Sequence, residues 1–420
     1  MRDSGRRDRV ALIAPPYSYR IGAYIRAAGL VDVDLVIASD GEYSVLPQVQ
    51  SGLQIPLDDD ASAFQILVDV GRREQWDAII APDDSAVELA ARVGQTLGLR
   101  NNPVEAAKLT RRKDLARDHL AAAGVAVPQA ALVHLDADLI GQLGAVTYPC
   151  VAKPVALSAS RGVIRADNRD ELVQAIERIR KIVSDNSIPD AVERDLVLVE
   201  AYVPGVEVAI EGIVSDGRFE VIAVFDKPDP LEGPYFEETY YVTPSRLAPD
   251  QINAAVSMVR RAVEAYGLQI GPVHAEVRID GDKAWIIEIA SRTIGGDCAR
   301  LLDYRLGRAL EELVLLNALG RPVEYQREDN AAGVLMIPTR EAGTLRRVEG
   351  VAAARGTPYI EDVSIVVRTG YELVPLPDGA SYLGFIFARG PNSAAVEQAL
   401  RDAHAVLRVV VAPHWDLKPA

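Results

Sequence analysis

A short segment of this chain, residues 274–296, places two glutamates where a β-hairpin would bring them face to face. Side chains alternate between the two faces of a strand, so Glu276 shares a face with His274. If the connection takes about five residues, 280–284, Glu276 falls opposite Glu288, and the two Cβ atoms lie roughly 4.5–5.5 Å apart. The segment therefore predicts two carboxylates that converge on one face of an antiparallel sheet.

On the second strand of this hairpin, alternation predicts that Ile286, Glu288 and Ala290 share a face. Two neighbouring carboxylates repel each other unless a cation lies between them, and Mg²⁺ prefers oxygen ligands. Alternatively, both glutamates lie on a solvated sheet face, where charged side chains are common. A two-residue turn at Asp280-Gly281 would also shift the register and separate them. The hairpin alone leaves both readings open.

The 420 residues predict two to three domains. A net charge of −15 argues against a general nucleic-acid binder, which needs clustered basic residues. The two cysteines form neither a disulfide framework nor a zinc pattern. The apolar run 10–14 is too short for a signal peptide or a membrane span, so we expect a cytoplasmic protein without a membrane segment. A homodimer is the default expectation, because dimers are the commonest soluble oligomers.

The first hundred residues alternate short apolar runs with helical patterns, which is typical of an open α/β domain with a parallel sheet. The predicted strands are 10–14, 34–38 and 77–81, and the predicted helices are 19–28, 61–74 and 84–97. The chain has neither the Gly-x-Gly-x-x-Gly fingerprint of dinucleotide-binding domains nor a P-loop.

The later patterns are mixed, and residues 228–246 read as a long loop rich in Pro, Gly and aromatic residues. The predicted helices are 112–123, 169–182, 250–266, 297–319 and 393–406. The predicted strands are 129–134, 148–155, 196–203, 333–338, 363–367 and 382–388, with a further hairpin over 206–227.

Lys153 lies at the end of an apolar strand, where a buried ammonium group must find a partner. The residues that follow, 156–163, are small and flexible, so their backbone N–H groups and hydroxyls could fold over phosphates. The alternative is a polar hairpin tip with an exposed lysine.

A second candidate begins at Glu200, where an apolar strand ends. The backbone there could meet an adenine edge, and the Glu207 carboxylate could accept hydrogen bonds from ribose hydroxyls. Two surface glutamates at a strand-to-turn junction are the alternative. Further along, Arg292 precedes Gly295 and Gly296, which let the backbone approach a ligand closely. An anion beside Arg292 fits there, and a Gly-rich turn with a surface arginine is the alternative.

In this order, the features resemble the ATP-grasp superfamily of carboxylate–amine ligases over residues 10–415, most strongly over 108–300. The resemblance implies an α/β and α+β multidomain protein that uses ATP and Mg²⁺. It predicts an N-terminal open α/β domain at 1–105, an ATP-grasp domain at 106–325 with a lid subdomain at about 130–203, and a small C-terminal α+β domain at 326–420.

The resemblance also implies a role for each matching residue. Lys113 and Lys153 resemble the nucleotide lysines, and Ser158, Ser160 and Gly162 resemble the phosphate-covering loop. Glu200, Tyr202 and Val203 resemble the adenine hinge, Glu207 the ribose contact, Glu276 and Glu288 the Mg²⁺ ligands, and Arg292 the residue that steadies an acyl-phosphate. Beside the resemblance, Gly295 and Gly296 are candidate substrate contacts. His274 faces the same side as Glu276 and is either a substrate contact or a structural histidine with a buried partner. One position departs from the pattern, because Ala290 stands where many members carry an asparagine metal ligand.

The ending 288–296 resembles the L-amino-acid ligases more than the biotin carboxylases or purine-pathway ligases. This implies an ATP-dependent ligase that activates an amino-acid carboxylate as an acyl-phosphate and joins it to an amine, releasing ADP and phosphate. Two alternatives stay open: a carboxylase or ligase with a non-amino-acid acceptor, and a nucleotide-binding protein without catalysis. Substrate specificity would lie in the 228–246 loop and around Thr293.

Overall fold

The structure, a computed structural model, describes residues 6–41, 52–184, 188, 190–379 and 382–413. Within these ranges the strands form four sheets. The described helices include none with the length and apolar character that crossing a bilayer requires.

The N-terminal part forms the parallel sheet that the sequence predicts. Its strands are β1 (Asp8–Ile13), β2 (Val33–Ser39), β3 (Gly52–Gln54) and β4 (Ala78–Ile80), in the spatial order β3-β2-β1-β4. The helices are α1 (Ile21–Leu30), α2 (Asp60–Glu74) and α3 (Val87–Leu97), the last preceded by a 3₁₀ turn, Asp84–Ala86. Strand β1 is apolar throughout its centre because Leu12 packs into one core and Ile13 into another, on opposite faces of the sheet.

The next part forms an antiparallel sheet covered by one long helix. It contains helices α4 (Val104–Arg111), α5 (Lys113–Ala122), α6 (Leu139–Gln142), α7 (Arg169–Ser184) and α8 (Ala191–Arg194), and strands β5 (Ala130–His134), β6 (Cys150–Pro154), β7 (Ile164–Ala166) and β8 (Leu196–Ala201). The spatial order is β5-β8-β6-β7. The apolar stripe of α7, which includes Leu172, Ile176 and Ile179, packs on this sheet.

The remaining strands build the largest sheet and a small one. They are β9 (Val206–Ser215), β10 (Arg218–Asp226), β11 (Tyr240–Thr243), β12 (Ile270–Asp280), β13 (Lys283–Ala290), β14 (Ala331–Ile337), β15 (Gly343–Glu349), β16 (Ile360–Ile365), β17 (Glu372–Leu373), β18 (Gly384–Gly390) and β19 (Arg408–Ala412). The large sheet has the order β13-β12-β9-β10-β11-β14-β18-β16, and the small one β17-β15-β19. The helices are α9 (Pro249–Tyr266), α10 (Arg300–Leu306), α11 (Leu310–Ala318), α12 (Val351–Arg355) and α13 (Ser393–Ala405).

Two predictions for this region were wrong. The predicted loop 228–246 contains β11, which joins β10 to β14 and so connects the central sheet to the C-terminal strands. A strand of four residues is too short for alternation to reveal it. The predicted helix 297–319 is two helices, because Gly307 takes a left-handed conformation with φ of +64° and ends α10.

The hairpin that carries the two glutamates has a shorter turn than the sequence predicted. Asp280 pairs with Lys283, so the connection contains two residues, 281–282, and not five. Such a turn alone would place Glu276 opposite Ile287, because strand pairing proceeds residue by residue.

A β-bulge restores the predicted pairing. Val277 pairs with Ile286 and Glu276 with Glu288, which leaves Ile287 as the extra residue on β13. The prediction that Ile286 and Glu288 share a face was wrong because of this bulge. Ile286 packs with Val277 in the core under α9.

Arg117 of α5 binds both carbonyl groups at this bulge. Its Nη1 donates to the Ile286 carbonyl at 3.0 Å and its Nη2 to the Ile287 carbonyl at 2.8 Å. Its Nε donates to Glu200 of β8 at 2.5 Å. The arginine is 4% exposed, so these contacts connect three elements inside the protein.

The loop between β6 and β7 is fastened to the C-terminal part of the chain. The Gly162 N–H donates to the Pro377 carbonyl and Arg161 Nε to the Asp378 carbonyl, both at 2.9 Å. Arg178 of α7 forms a bidentate pair with the Asp378 carboxylate, with Nε 2.8 Å from Oδ1. Helix α7 and the loop between β6 and β7 therefore both contact residues 377–378.

Replacing Arg178 with glutamine should loosen this loop without unfolding the protein. The Arg178–Asp378 pair is exposed, so its loss should lower the free energy of unfolding by less than about 1 kcal/mol. Amide exchange over 158–163 should nevertheless become several-fold faster, as hydrogen-exchange mass spectrometry would measure. Arg180→Gln is the matched control, because Arg180 pairs with Glu177 on the same helix. Equal exchange in the two variants would contradict the role of Arg178.

Replacing Arg117 with lysine should destabilise the protein strongly, because lysine keeps the charge but lacks the planar fork that serves three acceptors. We expect the free energy of unfolding to fall by about 2 kcal/mol or more in urea titrations. Arg261→Lys is the control, since Arg261 also donates to a carbonyl, that of Gly124, but at the surface. Similar losses in both variants would show that the bulge does not depend on Arg117.

Candidate functional site

Glu276 and Glu288 are directly opposite each other across β12 and β13. Their side chains are 19% and 27% exposed, so both are accessible from one side while the sheet covers the other. Lys113 reaches this face from the start of α5, with Nζ 3.1 Å from Glu288 Oε1. The same Nζ donates to the Leu157 carbonyl at 2.9 Å, which brings the loop after β6 to the glutamates.

Lys153 lies at the end of β6, where its Nζ is 2.5 Å from Glu200 Oε2. Burial lowers the pKa of Lys153, and the Glu200 carboxylate opposes that effect. Burial would raise the pKa of Glu200, but Arg117 and Lys153 together hold it below its usual value. The predicted nucleotide lysine is therefore buried beside a carboxylate that is shared with the arginine of the bulge.

The predicted loop residues Ser158, Ser160 and Gly162 lie between β6 and β7. Ser160 and Gly162 both have positive φ, +55° and +74°, so the backbone turns sharply there. The hydrogen bond from the Gly162 N–H to the Pro377 carbonyl attaches this loop to the C-terminal part of the chain.

Lys227, which the sequence analysis did not single out, lies among three carboxylates. Its Nζ is 2.7 Å from Glu207 Oε1 and 3.2 Å from Glu276 Oε1, and it also contacts Glu238. Burial would raise the pKa of Glu276, but Lys227 and His274 hold it well below the usual value. Burial raises the pKa of Glu238 to about 7; Lys227 opposes the rise and Glu276 adds to it.

The predicted hinge residues meet this cluster through Arg278. Arg278 Nε is 3.0 Å from Glu207 Oε2, and Nη1 donates to the Val203 carbonyl at 2.6 Å. The Arg278 guanidinium also lies 5.1 Å from the centre of the Tyr202 ring. The structure thus brings Tyr202, Val203 and Glu207 together, and their roles towards ATP stay predictions.

His274 is buried between two carboxylates on neighbouring strands. Its Nδ1 is 3.1 Å from Glu211 Oε2, and its Nε2 is 3.7 Å from Glu276 Oε1. Burial would lower the pKa of His274, but Glu211 and Glu276 raise it to about 9. The other Glu211 oxygen accepts the Ile294 N–H at 3.1 Å. His274 therefore ties the metal-binding candidate Glu276 to the loop after β13, and a substrate contact stays a prediction.

Arg292 is buried where β13 ends, and it binds the N-terminal part of the chain. Its Nε is 2.9 Å from Asp84 Oδ2, and its Nη1 donates to the Thr293 carbonyl at 3.1 Å. Burial would lower the pKa of Arg292, but Asp84 raises it above its usual value. The pair holds a buried guanidinium group just after the strand that carries Glu288, and it adds an aspartate that the sequence analysis missed. The role of Arg292 towards an acyl-phosphate stays a prediction.

Gly295 and Gly296 lie against the loop between β1 and α1. The Gly296 N–H donates to Tyr19 Oη at 2.9 Å, and its φ is +61°. A Cβ at Gly296 would lie 2.1 Å from Met336 Sδ, so only glycine fits there without rearrangement. Helix α10 begins later, at Arg300.

The chemistry of these side chains fits a divalent cation. Glu207, Glu238 and Glu276 have carboxylate oxygens within 4.8 Å of one another, and Glu276 also faces Glu288. Hard cations such as Mg²⁺ bind such all-oxygen sets. Lys113, Lys227 and Arg278 contact these carboxylates and offset part of their negative charge.

Sequence reasoning missed the partners of the site more often than the site itself. Arg117, Lys227 and Arg278 are buried cations in or next to strands and helices that were correctly placed. A charged residue inside an otherwise apolar segment was the available signal, because such a residue needs a buried partner. Glu238 lies within the 228–246 segment, which was expected to carry specificity.

Two family models match the chain. The ATP-grasp domain matches residues 146–300, and the L-amino acid ligase C-terminal domain 2 matches residues 335–412. These matches agree with the resemblance that the site residues suggested.

Among curated proteins, the chain is 26% identical to the alanine–anticapsin ligase of Bacillus subtilis (strain 168) over 253 residues. That match covers 57% of this chain and 53% of the ligase, so the chain spans about half the length of this relative. It is also 26% identical to dapdiamide A synthase of Enterobacter agglomerans over 359 residues, covering 81% of this chain and 79% of the synthase.

Among solved structures, the L-amino acid ligase from Bacillus licheniformis superposes with a TM-score of 0.82 at 24% identity. The superposition covers 97% of this chain and 99% of the ligase, so the predicted α/β and α+β multidomain fold is confirmed. The chain therefore contains an ATP-grasp domain at residues 146–300 and an L-amino acid ligase C-terminal domain at residues 335–412.

Proposed function

We propose that this chain is an ATP-dependent ligase that joins two amino acids. It activates the carboxylate of one amino acid as an acyl-phosphate, and the amine of the second attacks the acyl carbon. The new C–N bond replaces the bond between the acyl carbon and the phosphate oxygen, and ADP and phosphate leave. Its relatives include an alanine–anticapsin ligase and a dapdiamide A synthase, which supports amino acids as substrates.

One observation carries the proposal: Glu276 is paired with Glu288 across two strands, and Lys113 contacts Glu288. Arg292 follows Glu288 by four residues in the chain. A solvated sheet face would leave both carboxylates free of buried cations. Here each glutamate contacts a lysine, Lys227 or Lys113, and the lysines are mostly buried. Such a concentration of fixed charge is what transfer of a phosphoryl group requires.

In the proposed reaction, the charged side chains of the site bind the reactants and neutralise the negative charge of the phosphate groups. Lys153 and Lys113 would bind phosphate oxygens, and the loop over 158–162 would cover them and exclude water. Arg292, fixed by Asp84, would stabilise the negative charge that develops on the acyl-phosphate. Glu276 and Glu288 would hold Mg²⁺, which neutralises phosphate charge when bound.

The proposal includes ATP and Mg²⁺ as cofactors, with Glu200, Tyr202, Val203 and Glu207 around the adenosine. His274, Gly295 and Gly296 belong to its substrate side. The domain boundaries at 105 and 325, a cytoplasmic location, a homodimer and the absence of nucleic-acid binding stay predictions from the sequence.

Replacing Glu288 with glutamine should abolish ADP formation, because the metal site loses one negative charge. We expect a loss of at least about 100-fold in kcat with Mg²⁺ and paired amino acids. Phosphate release against a panel of single and paired amino acids would measure this, with mass spectrometry of the products. The wild-type product should have the mass of two amino acids minus water.

Glu264→Gln serves as the control for this experiment, because Glu264 is exposed on α9. Near-normal ADP formation by the Glu288 variant would refute the metal assignment. Release that requires bicarbonate or another non-amino-acid acceptor would refute the amino-acid substrates and retain the ATP-dependent ligation.

Replacing Lys153 with methionine should weaken ATP binding about tenfold or more while the fold persists. Methionine fills the same space, and Glu200 keeps its bond to Arg117, so the carboxylate is not left alone. Isothermal titration calorimetry would give the ATP affinity, and far-UV circular dichroism would check the fold. Lys181→Met on the exposed face of α7 is the control. A collapsed circular dichroism spectrum would assign Lys153 a structural role.

A further inference from the structure

A second buried arginine lies against the segment that carries Gly295 and Gly296. Arg20 ends the loop between β1 and α1, and its side chain is 10% exposed. Its Nη1 is 2.9 Å from Asp83 Oδ1, and its guanidinium lies 4.7 Å from the centre of the Tyr19 ring. Tyr19 in turn accepts the N–H of Gly296. Arg20 is therefore held next to the two glycines.

One edge of the Arg20 guanidinium has an unused donor. Its Nε is buried and has no hydrogen-bond partner in the part of the chain that the structure describes. A Cβ at Gly295 would lie 3.5 Å from Nη2, so this nitrogen faces the backbone of a residue without a side chain. The Nε and Nη2 edge of an arginine binds a carboxylate through two parallel hydrogen bonds. A buried donor without a partner is unfavourable, and a hydrogen bond to a ligand carboxylate would remove that cost.

Two consecutive residues, both aspartates, each bind one of these two arginines. Asp83 binds Arg20, and Asp84 binds Arg292. Consecutive Cα atoms are about 3.8 Å apart, so this aspartate pair fixes both guanidinium groups in one small region. Tyr19 lies within the electrostatic range of both arginines.

The proposed reaction involves two carboxyl groups, one on each amino acid, and only one of them reacts. One is phosphorylated and becomes the new amide, and the other, on the amino acid that supplies the amine, stays a carboxylate from start to finish. Arg292, four residues after Glu288, would serve the carboxyl group that is phosphorylated. Arg20 lies against Gly295, and its buried Nε has no partner among the described residues, so Arg20 is the arginine available to the second carboxyl group.

We propose that Arg20 binds the unreacted carboxylate of the amine-donating amino acid and so selects α-amino acids as acceptors. This inference rests on the proposed ligase function and adds a residue that determines specificity.

A purely structural role for Arg20 predicts a different outcome. Ser18 Oγ also donates to Asp83, at 2.6 Å, so Arg20 could serve only to fasten its loop to that aspartate. Loss of this attachment would then change KM and kcat to the same extent for every acceptor, whether or not the acceptor carries a carboxylate.

The test compares an acceptor amino acid with its carboxamide, which has the same amine and side chain but no carboxylate. KM and kcat are measured for both acceptors in the wild type, Arg20→Gln and Arg20→Lys, with ATP and the acid substrate saturating. In Arg20→Gln, KM for the free amino acid should rise about 10- to 100-fold, and KM for the carboxamide should change less than about twofold. Arg20→Lys keeps the charge and should recover part of the preference for the free acid.

Arg100→Gln is the matched control, because Arg100 pairs with Asp216 on an exposed surface and should leave both KM values unchanged. Parallel changes for acid and carboxamide in Arg20→Gln would overturn the inference and leave the ligase function intact. A wild type that forms no ADP with any pair of amino acids would overturn the proposed function, and the inference with it.

Discussion

The arrangement of the candidate site depends on one buried guanidinium group that binds a bulged strand. Arg117 donates to the carbonyls of Ile286 and Ile287 and to the carboxylate of Glu200. The bulge adds one residue to β13, which compensates for the short turn of the hairpin and places Glu288 on the accessible face. A one-residue slip would turn the same carboxylate into the core under α9, where charge is very costly.

The same group connects the sheets to each other. Glu200 accepts from Arg117 and from Lys153, so the strand that carries Lys153 is joined to the strand that carries Glu288. Buried charges of this kind stabilise a structure only when every partner is present, and the loss of one partner costs several kcal/mol. This requirement explains why the site is built from segments that are far apart in the sequence.

Three regions of the chain therefore meet around the paired glutamates. The N-terminal part supplies Asp84 to Arg292 and Asp83 to Arg20. The sheet β5-β8-β6-β7 supplies Lys153 and a loop that is hydrogen-bonded to Pro377 of the C-terminal part. The large sheet supplies the carboxylates. A ligase that handles a nucleotide and two further substrates needs such a meeting point, because each reactant must be oriented by fixed charges before the bonds change.

The sequence by itself determined the parallel N-terminal sheet, most helices and strands, and the candidate residues from Lys113 to Gly296, because periodicity and local charge are properties of neighbouring residues. It predicted that Glu276 faces Glu288, but with the wrong turn and the wrong face for Ile286. Only the tertiary structure decided the bulge and the ion pairs of Lys227 and Arg292. Those contacts join residues far apart in the chain, and burial, which no local pattern records, makes each charge require its particular partner.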